Sequence, residues 1–373
     1  MAKRVLITGG AGFIGRRVAA VLLDGGYEVR VFDNLLPQVH GEAGRLPAEI
    51  AEAEFRQGDI RDGDALAAAL TGCDRVVHLA AEVGVGQSMY AIDRYVGVND
   101  LGTAVLFQAL AERPVERVVV ASSMSVYGEG LYRTRDGRLV KDAVRGPAAL
   151  AGTDQRWDPR DEDGRPLVPL PTPETKPTSL ASVYALTKFV QERLTLMVAP
   201  AYGMEGVALR LFNVFGPGQA LSNPYTGVLA IFASRLLNGQ RPLVFEDGEQ
   251  RRDFVHVDDV AHAFKLALER PEAAGGVFNV GSGRDVSINE VGRIIAQAMG
   301  RPDLTPEVIG KARIGDIRHC FADVSLAEQR LGFRPERTLE GAIGPLAEWV
   351  ASQTAVDRVA DARRELEARG LVA

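Results

Sequence analysis

The chain has 373 residues, 46% of them hydrophobic and 25% charged, enough to bury one large core or two modest ones. A formal net charge of −6 gives no overall attraction to nucleic acid or an anionic membrane, and no uncharged apolar run approaches the roughly 20 residues that span a bilayer. The only cysteines, Cys73 and Cys320, lie far apart without a metal-ligand spacing, so neither a disulfide framework nor a metal site is implied and the expected setting is a reducing cytoplasm.

The first residues, MAKRVLITGGAGFIG, enter a strand pattern at once and lack a signal peptide's cleavage region. RVLI, EVRVF, RVVHLA, RVVVAS and GVALRLF are continuous apolar runs, which predicts strands buried on both faces of a parallel sheet. GRRVAAVLLDG, DALAAALTG, NDLGTAVLFQALAE and SVYALTKFVQERLTLMVA lie between them with helical spacing. This alternation up to about residue 215 predicts an α/β fold, a Rossmann-type doubly wound sheet with helices on both faces.

Two regions break the rhythm. Residues 129–179 are polar and end in RPLVPLPTPETKP, with five prolines, which reads as a lid-like insertion. After residue 215 come loops rich in Gly, Pro and Asn, then PLVFEDG, DFVHVDDVAHAFKLALE and GVFNVGSG, read as a smaller α/β lobe on the end of the sheet. The tail, DRVADARRELEARG, is expected to be a solvated terminal helix.

TGGAGFIG places Gly9, Gly12 and Gly15 between a strand and a helix. Glycine lets backbone approach a pyrophosphate, whose charge then meets the N–H groups of the helix start, here Phe13 and Ile14. Asp33 follows eighteen residues beyond Gly15, the distance expected of a carboxylate on the adenosine ribose diol, with Asn34 beside it. A carboxylate there repels a 2′-phosphate, so the expected cofactor is NAD; Arg16 and Arg17 are the nearby residues able to meet such a phosphate.

Tyr184 and Lys188 stand four apart, on one face of a predicted helix. A free phenol, with pKa near 10, is a poor base at neutral pH, and an adjacent cation lowers that value by about 1–3 units. ASSMSVYG ends the strand RVVVA in a hydroxyl cluster, at the carboxyl end where such sheets hold their ligands.

These motifs together, with the Gly-x-x-Gly-x-x-Gly variant of the turn, resemble the extended short-chain dehydrogenase/reductase family, whose members mostly act on nucleotide sugars. The resemblance covers nearly the whole chain. It implies that Tyr184 is the acid/base, that Lys188 binds the nicotinamide ribose and tunes it, and that Ser123 hydrogen-bonds the reacting sugar oxygen. Asp59 and Ile60 resemble the adenine-contacting pair; Leu79, Ala80 and Ala81 belong to the fourth-strand motif HLAA, Asn99 to the central-helix motif, and Ser122 is a structural or cofactor contact. His78 is then a packed strand residue. Toward the nucleotide, Asn213, Arg252, Arg313 and Asp316 resemble the residues that meet the diphosphate and its ribose, and Cys320 falls where relatives gate sugar size.

Met124 and Ser125 decide the reaction class. Related 4,6-dehydratases carry an Asp-Glu pair there and decarboxylating relatives a glutamate; a thioether and a hydroxyl replace neither. What remains is an NAD-dependent 4-epimerase of a dTDP- or UDP-hexose, with a dTDP-6-deoxyhexose such as dTDP-L-rhamnose first and UDP-glucose/UDP-galactose second. A 4-ketoreductase and a non-catalytic dinucleotide sensor are the rival readings. The implied organisation is an NAD-binding domain over 1–215 with the insertion 129–179, a nucleotide-sugar lobe over 216–348 interleaved with it, a helical tail over 349–373, and a homodimer; no nucleic-acid or membrane partner is expected.

Overall fold

Seven parallel strands form the central sheet: β1 (Arg4–Thr8), β2 (Glu28–Asp33), β3 (Glu54–Gln57), β4 (Arg75–His78), β5 (Arg117–Ser123), β6 (Glu205–Leu211) and β7 (Val277–Val280), in the order β7-β6-β5-β4-β1-β2-β3. The computed structural model describes residues 2–41, 46–145, 157–221, 223, 225, 227–313, 315–353 and 359–372. The longer helices are α1 (Phe13–Asp24), α2 (Gly63–Leu70), α3 (Gly102–Glu112), α4 (Val183–Ala201), α5 (Val228–Leu237), α6 (Val257–Glu269), α7 (Ile288–Ala298), α8 (Ser325–Leu331), α9 (Leu339–Ala351) and α10 (Val359–Ala368).

The continuous apolar strands are explained by two cores. Val5 and Ile7 point into one, with Val18 and Leu22 of α1 and Phe264 of α6; Leu6 points into the other, with Leu66, Leu106 and Leu110 of α2 and α3. Successive side chains of a strand face opposite ways, so a strand covered on both sides must be apolar at every position. All five strands expected from such runs form. β3, whose EFRQ is half exposed at the sheet edge, carries no such run. A third core packs Leu229 and Phe232 of α5 against Val291 and Ile295 of α7 and Leu346 and Val350 of α9, beyond the carboxyl ends of the strands. VFNV, expected to belong to that outer lobe, instead extends the central sheet as β7, paired with β6.

The described part of residues 129–179, expected as a lid-like insertion, contains a small antiparallel sheet. Leu131–Arg133 pairs antiparallel with both Leu139–Val140 and Val168–Leu170, while 146–156 lie outside the described residues. Burial of charge holds this sheet down: Arg318, 1% exposed, pairs with Asp158 at 2.7 Å, and Tyr132 donates to Glu129 at 2.6 Å. The tail helix α10 is docked rather than solvated. Leu366 is buried against Gly86, Glu367 pairs with Lys311 at 3.0 Å, and the Arg369 guanidinium lies 4.6 Å from the Tyr90 ring centre.

One ion pair ties the sheet to α4, the helix that carries the tyrosine and lysine. Arg210 on β6 meets Glu192 on α4 through two hydrogen bonds of 2.7 and 2.9 Å, with side chains 7% and 1% exposed. Replacing Arg210 by methionine leaves a buried carboxylate unpaired, so urea unfolding should show a loss of about 3–5 kcal/mol, much of it recovered when Glu192 is also made leucine. Equal losses in the single and double variants would contradict this account.

Candidate functional site

A cavity of about 530 Å³ opens at the carboxyl ends of β1, β2, β4, β5 and β6. The glycine turn forms its floor. Gly9 has φ +68°, and a β-carbon there would lie 2.7 Å from the Ala80 nitrogen; one on Gly15 would lie 2.5 Å from the Gly9 oxygen and the Gly10 α-carbon. Both positions therefore exclude a side chain. Gly12 caps α1 without any side-chain acceptor and no acid stands in the first turn, which leaves the amides of Phe13, Ile14 and Gly15 to face the cavity. This cradle suits a dinucleotide pyrophosphate.

Asp33, at the end of β2, also lines the cavity, its carboxylate accepting from the amides of Ala11 (3.1 Å) and Leu35 (2.9 Å). His40 Nε2 stands 3.6 Å from it, and burial lowers the imidazole's pKa. Asn34, Ile60, Leu79, Ala80 and Ala81 line the same space. Asp59 does not; its carboxylate is turned to Arg61, Nη2 at 2.7 Å, whose hydrogen bonds hold it below the usual carboxylate range. Arg17 is engaged by Asp258, whereas Arg16 lines the cavity and donates to the Pro217 carbonyl at 3.3 Å.

Ser122, Ser123, Tyr184 and Lys188 form the opposite wall. Ser122 is committed elsewhere, donating to Glu192 at 2.7 Å. Ser123 caps the following 3-10 turn: its oxygen accepts from the Ser125 amide at 3.2 Å and the Ser125 hydroxyl at 2.9 Å. α4 begins at the Ser182 cap, and the Tyr184 amide donates to Ser88 Oγ at 3.0 Å. The Lys188 ammonium donates to Gln191 Oε1 at 2.6 Å. Gln191 Nε2 then reaches His78 Nε2 (3.1 Å) and Thr103 (3.0 Å), and His78 Nδ1 lies 2.7 Å from Thr8. Asn99, fully buried in the π-helical turn Val96–Leu101, bonds Glu82 and Thr187 and does not line the cavity.

Electrostatics here depart from the expectation that Lys188 depresses the phenol. Burial raises the Tyr184 pKa, with a hydrogen bond to Ser123 as the opposing influence, and burial brings Lys188 down to about 7. His78, buried beside Lys188, falls to about 3 and stays neutral. Desolvation penalises whichever form is charged, so it moves an acid up and a base down, and here it is the leading influence on both groups.

The five residues expected at the nucleotide end stand together outside this cavity. Arg251–Arg252 pairs with His319–Cys320, and the Arg252 guanidinium donates to backbone carbonyls of Ile317 and Arg318. Arg313 meets Asp316 at 2.8 Å and stacks on Phe245. Asn213 donates to the Asp253 carbonyl at 3.0 Å and lies 3.5 Å from the Met124 sulfur. The Cys320 thiol is buried, and its pKa is pushed up to about 12 by burial. Among the described residues no His/Cys/Asp/Glu group could hold a metal ion, and no helix is long and apolar enough to cross a membrane.

His40, Gln191 and Ser88 belong to the site without having been anticipated. Gln191 alone had a signal, lying three residues after Lys188 on the same helix; the others depend on loops folding back.

The model of the NAD dependent epimerase/dehydratase family matches residues 5–147 and 159–281. A dTDP-L-rhamnose 4-epimerase of Burkholderia thailandensis is 39% identical over 94% of this chain and 96% of its own. Among solved structures, the UDP-glucose 4-epimerase of Thermotoga maritima with UDP-glucose superposes with a TM-score of 0.74 at 29% identity, covering 93% of this chain and 98% of that one. That of Thermus thermophilus in complex with NAD gives 0.72 at 30%, covering 94% and 100%.

The lysine's position makes a sign-definite expectation. In the unfolded chain a lysine titrates near 10.4, so between about pH 7 and 10.4 the unfolded state binds the extra proton and this group's contribution to stability rises with pH. The penalty is complete below about pH 7. Carbon-13 NMR of ε-labelled lysine, in protein stripped of nucleotide, should show one midpoint near pH 7 that is missing in Lys188→Met; midpoints all near 10 would refute it.

Proposed function

Because the chain belongs to the NAD-dependent epimerase/dehydratase family, we propose that it inverts C4 of a nucleotide-linked hexose through a transient 4-keto sugar. One observation carries the reading: Ser123, Tyr184 and Lys188 meet on one wall of the cavity whose floor is the glycine turn, with no carboxylate at the two positions after Ser123.

Gly9, Gly12–Gly15, Asp33 and Asn34 would hold NAD, with Ile60 and Leu79–Ala81 against its rings. Bound NAD supplies a reversible two-electron oxidant for C4. Tyr184 takes the proton of the 4-hydroxyl and later returns it, a role that needs the phenol within reach of that oxygen. Ser123, oriented by the Ser125 hydroxyl at 2.9 Å, donates to the same oxygen and stabilises its charge as it develops. Lys188, anchored by Gln191, supplies positive charge beside the phenol when protonated. The keto sugar turns over before the proton comes back, so the opposite face is reduced. Met124 packs with Tyr127, Phe212 and Cys320, and neither it nor Ser125 is an acid or base able to drive elimination or decarboxylation.

Asn213, Arg252, Arg313 and Asp316 are assigned to the nucleoside diphosphate and Cys320 to the sugar. The division into an NAD-binding part over 1–215, a nucleotide-sugar lobe over 216–348 and a tail over 349–373 belongs to the same reading, as does a cytoplasmic setting, in keeping with two free cysteines. The substrate favoured is a dTDP-6-deoxyhexose, dTDP-L-rhamnose first, on the strength of the Burkholderia relative; UDP-glucose/UDP-galactose comes next.

NMR of the purified protein with dTDP-L-rhamnose, then UDP-glucose, should show C4 epimers accumulating without added cofactor. Tyr184→Phe should lower that rate by about 10²–10⁴. Turnover only with NADPH and a keto sugar would mean a reductase, and a 4-keto-6-deoxy product would overturn the assignment of Met124 and Ser125.

A homodimer through α4 and the segment leading into α3 completes the proposal. Ile92, Leu101 and Met197 there are 50%, 54% and 61% exposed, an apolar surface that a second copy would cover. Analytical ultracentrifugation should give twice the chain mass, falling to the monomer in Leu101→Glu/Met197→Glu; a monomeric wild type would refute it.

A further inference from the structure

Three consecutive carbonyls, of Asp316, Ile317 and Arg318, accept from two guanidinium groups. Arg252 donates to those of Ile317 and, at 2.9 Å, Arg318; Arg145, from the 129–179 insertion, donates to that of Asp316. The Arg145 side chain is only 3% exposed and also pairs with Glu129, at 3.1 Å, and with Glu246. Both carboxylates bind the same stretch of chain. Glu129 accepts from the amides of Arg318 (2.8 Å) and His319 (3.2 Å). Glu246 accepts from Arg318 Nη1 at 3.0 Å, and its own amide donates to the Lys311 carbonyl at 2.9 Å. The backbone that follows Asp316 is thus gripped by charges that the insertion completes, while the Lys311 carbonyl before Arg313 is held by the amide of Glu246.

A buried ion cluster is a costly way to cross-link two segments, since well-packed apolar residues of similar volume often stabilise as much or more. What it does uniquely is set direction, because a planar guanidinium bonds only to acceptors lying along its edges. Here those acceptors are the backbone that carries Arg313 and Asp316 and that aims Arg252.

We propose that Arg145 is a positioning residue for the nucleotide end of the substrate site: anchored by Glu129 and Glu246, it holds the Asp316–Arg318 backbone in the arrangement that presents Arg252, Arg313 and Asp316 to a nucleoside diphosphate. This rests on the assignment of those three residues made above. The insertion therefore governs substrate affinity without touching the reacting carbon.

Arg145→Lys is the informative variant. It keeps a cation between Glu129 and Glu246 but replaces the planar fork by a rotatable point charge without the fixed edge that sets the direction to the Asp316 carbonyl. Calorimetric titration with dTDP and UDP, thermal melting, and steady-state kinetics on dTDP-L-rhamnose would be measured together. The variant should melt near the wild type, bind the nucleotide that the wild type binds about ten-fold more weakly, and raise KM by a similar factor with kcat changed less than about three-fold. Wild-type affinity and KM would reduce Arg145 to a structural cross-link and overturn the proposal, as would equal falls in kcat and kcat/KM. Should Arg145→Lys fail to fold, Arg145→Met/Glu246→Met, which removes the buried pair together, carries the same expectation. Arg252→Met is run alongside: normal dTDP and UDP binding there overturns the placement of the nucleotide end itself, whereas weak binding there beside a normal Arg145→Lys overturns this inference alone.

Discussion

The close approach of the first glycine turn to the end of β4 is the constraint on which the site depends. With Gly9 at φ +68° and no room for a β-carbon against Leu79 and Ala80, two strand ends and a helix start share one small volume. Amide groups of that helix then face the gap with no acid to compete for them, and Asp33 is held at its rim by the Ala11 amide. The walls are placed relative to this floor: Ser123 because β5 runs beside β4, Tyr184 and Lys188 because α4 packs across β5 and β6.

Beneath the reacting wall lies a buried polar chain, from Thr8 through His78 and Thr103 to Gln191 and Lys188. Such a network specifies one arrangement only if its members are satisfied, and each of these is hydrogen-bonded. Its cost appears in the titration of its members, with His78 at about 3 and Lys188 at about 7. A lysine balanced near neutrality, anchored by an amide rather than by a carboxylate, is one whose charge responds to what is placed beside it. A carboxylate at position 191 would have held Lys188 permanently protonated.

The outer lobe, the insertion and the tail converge on one short segment, residues 311–319. The insertion reaches it through Glu129, Asp158 and Arg145, the tail through Glu367 to Lys311 and a bridge between Val372 and Arg313, and the strand 251–252 through direct pairing. Charge does here what the apolar cores do elsewhere, because among the segment's described residues only His319 belongs to a strand and there is no continuous hydrophobic face. Met124, Cys320 and Phe212 form the small apolar cluster that joins this end to the serine-tipped strand.

The features legible in the amino-acid sequence are those whose physics is local. A glycine turn between strand and helix, an acid at the end of the next strand, hydroxyls at a strand's carboxyl end and two side chains one helical turn apart each need only neighbouring residues to be recognised. The five apolar strands were legible because burial on both faces leaves no other composition open. What the sequence did not contain were outcomes settled between distant segments. Ser122 and Ser123 are chemically alike and only the family pattern told them apart; the pleat that turns one toward Glu192 and the other toward Tyr184 gives the physical reason. EFRQ and VFNV join the sheet by pairing, which an edge position does not advertise. The insertion reads as lid-like because it is polar and proline-rich, and its described residues are held by charges that find buried partners up to 190 residues away. Residue order therefore determined the cradle and the reacting groups, whereas only tertiary packing decided where Lys188 titrates and what holds the nucleotide end, since each follows from desolvation or from partners that local sequence cannot supply.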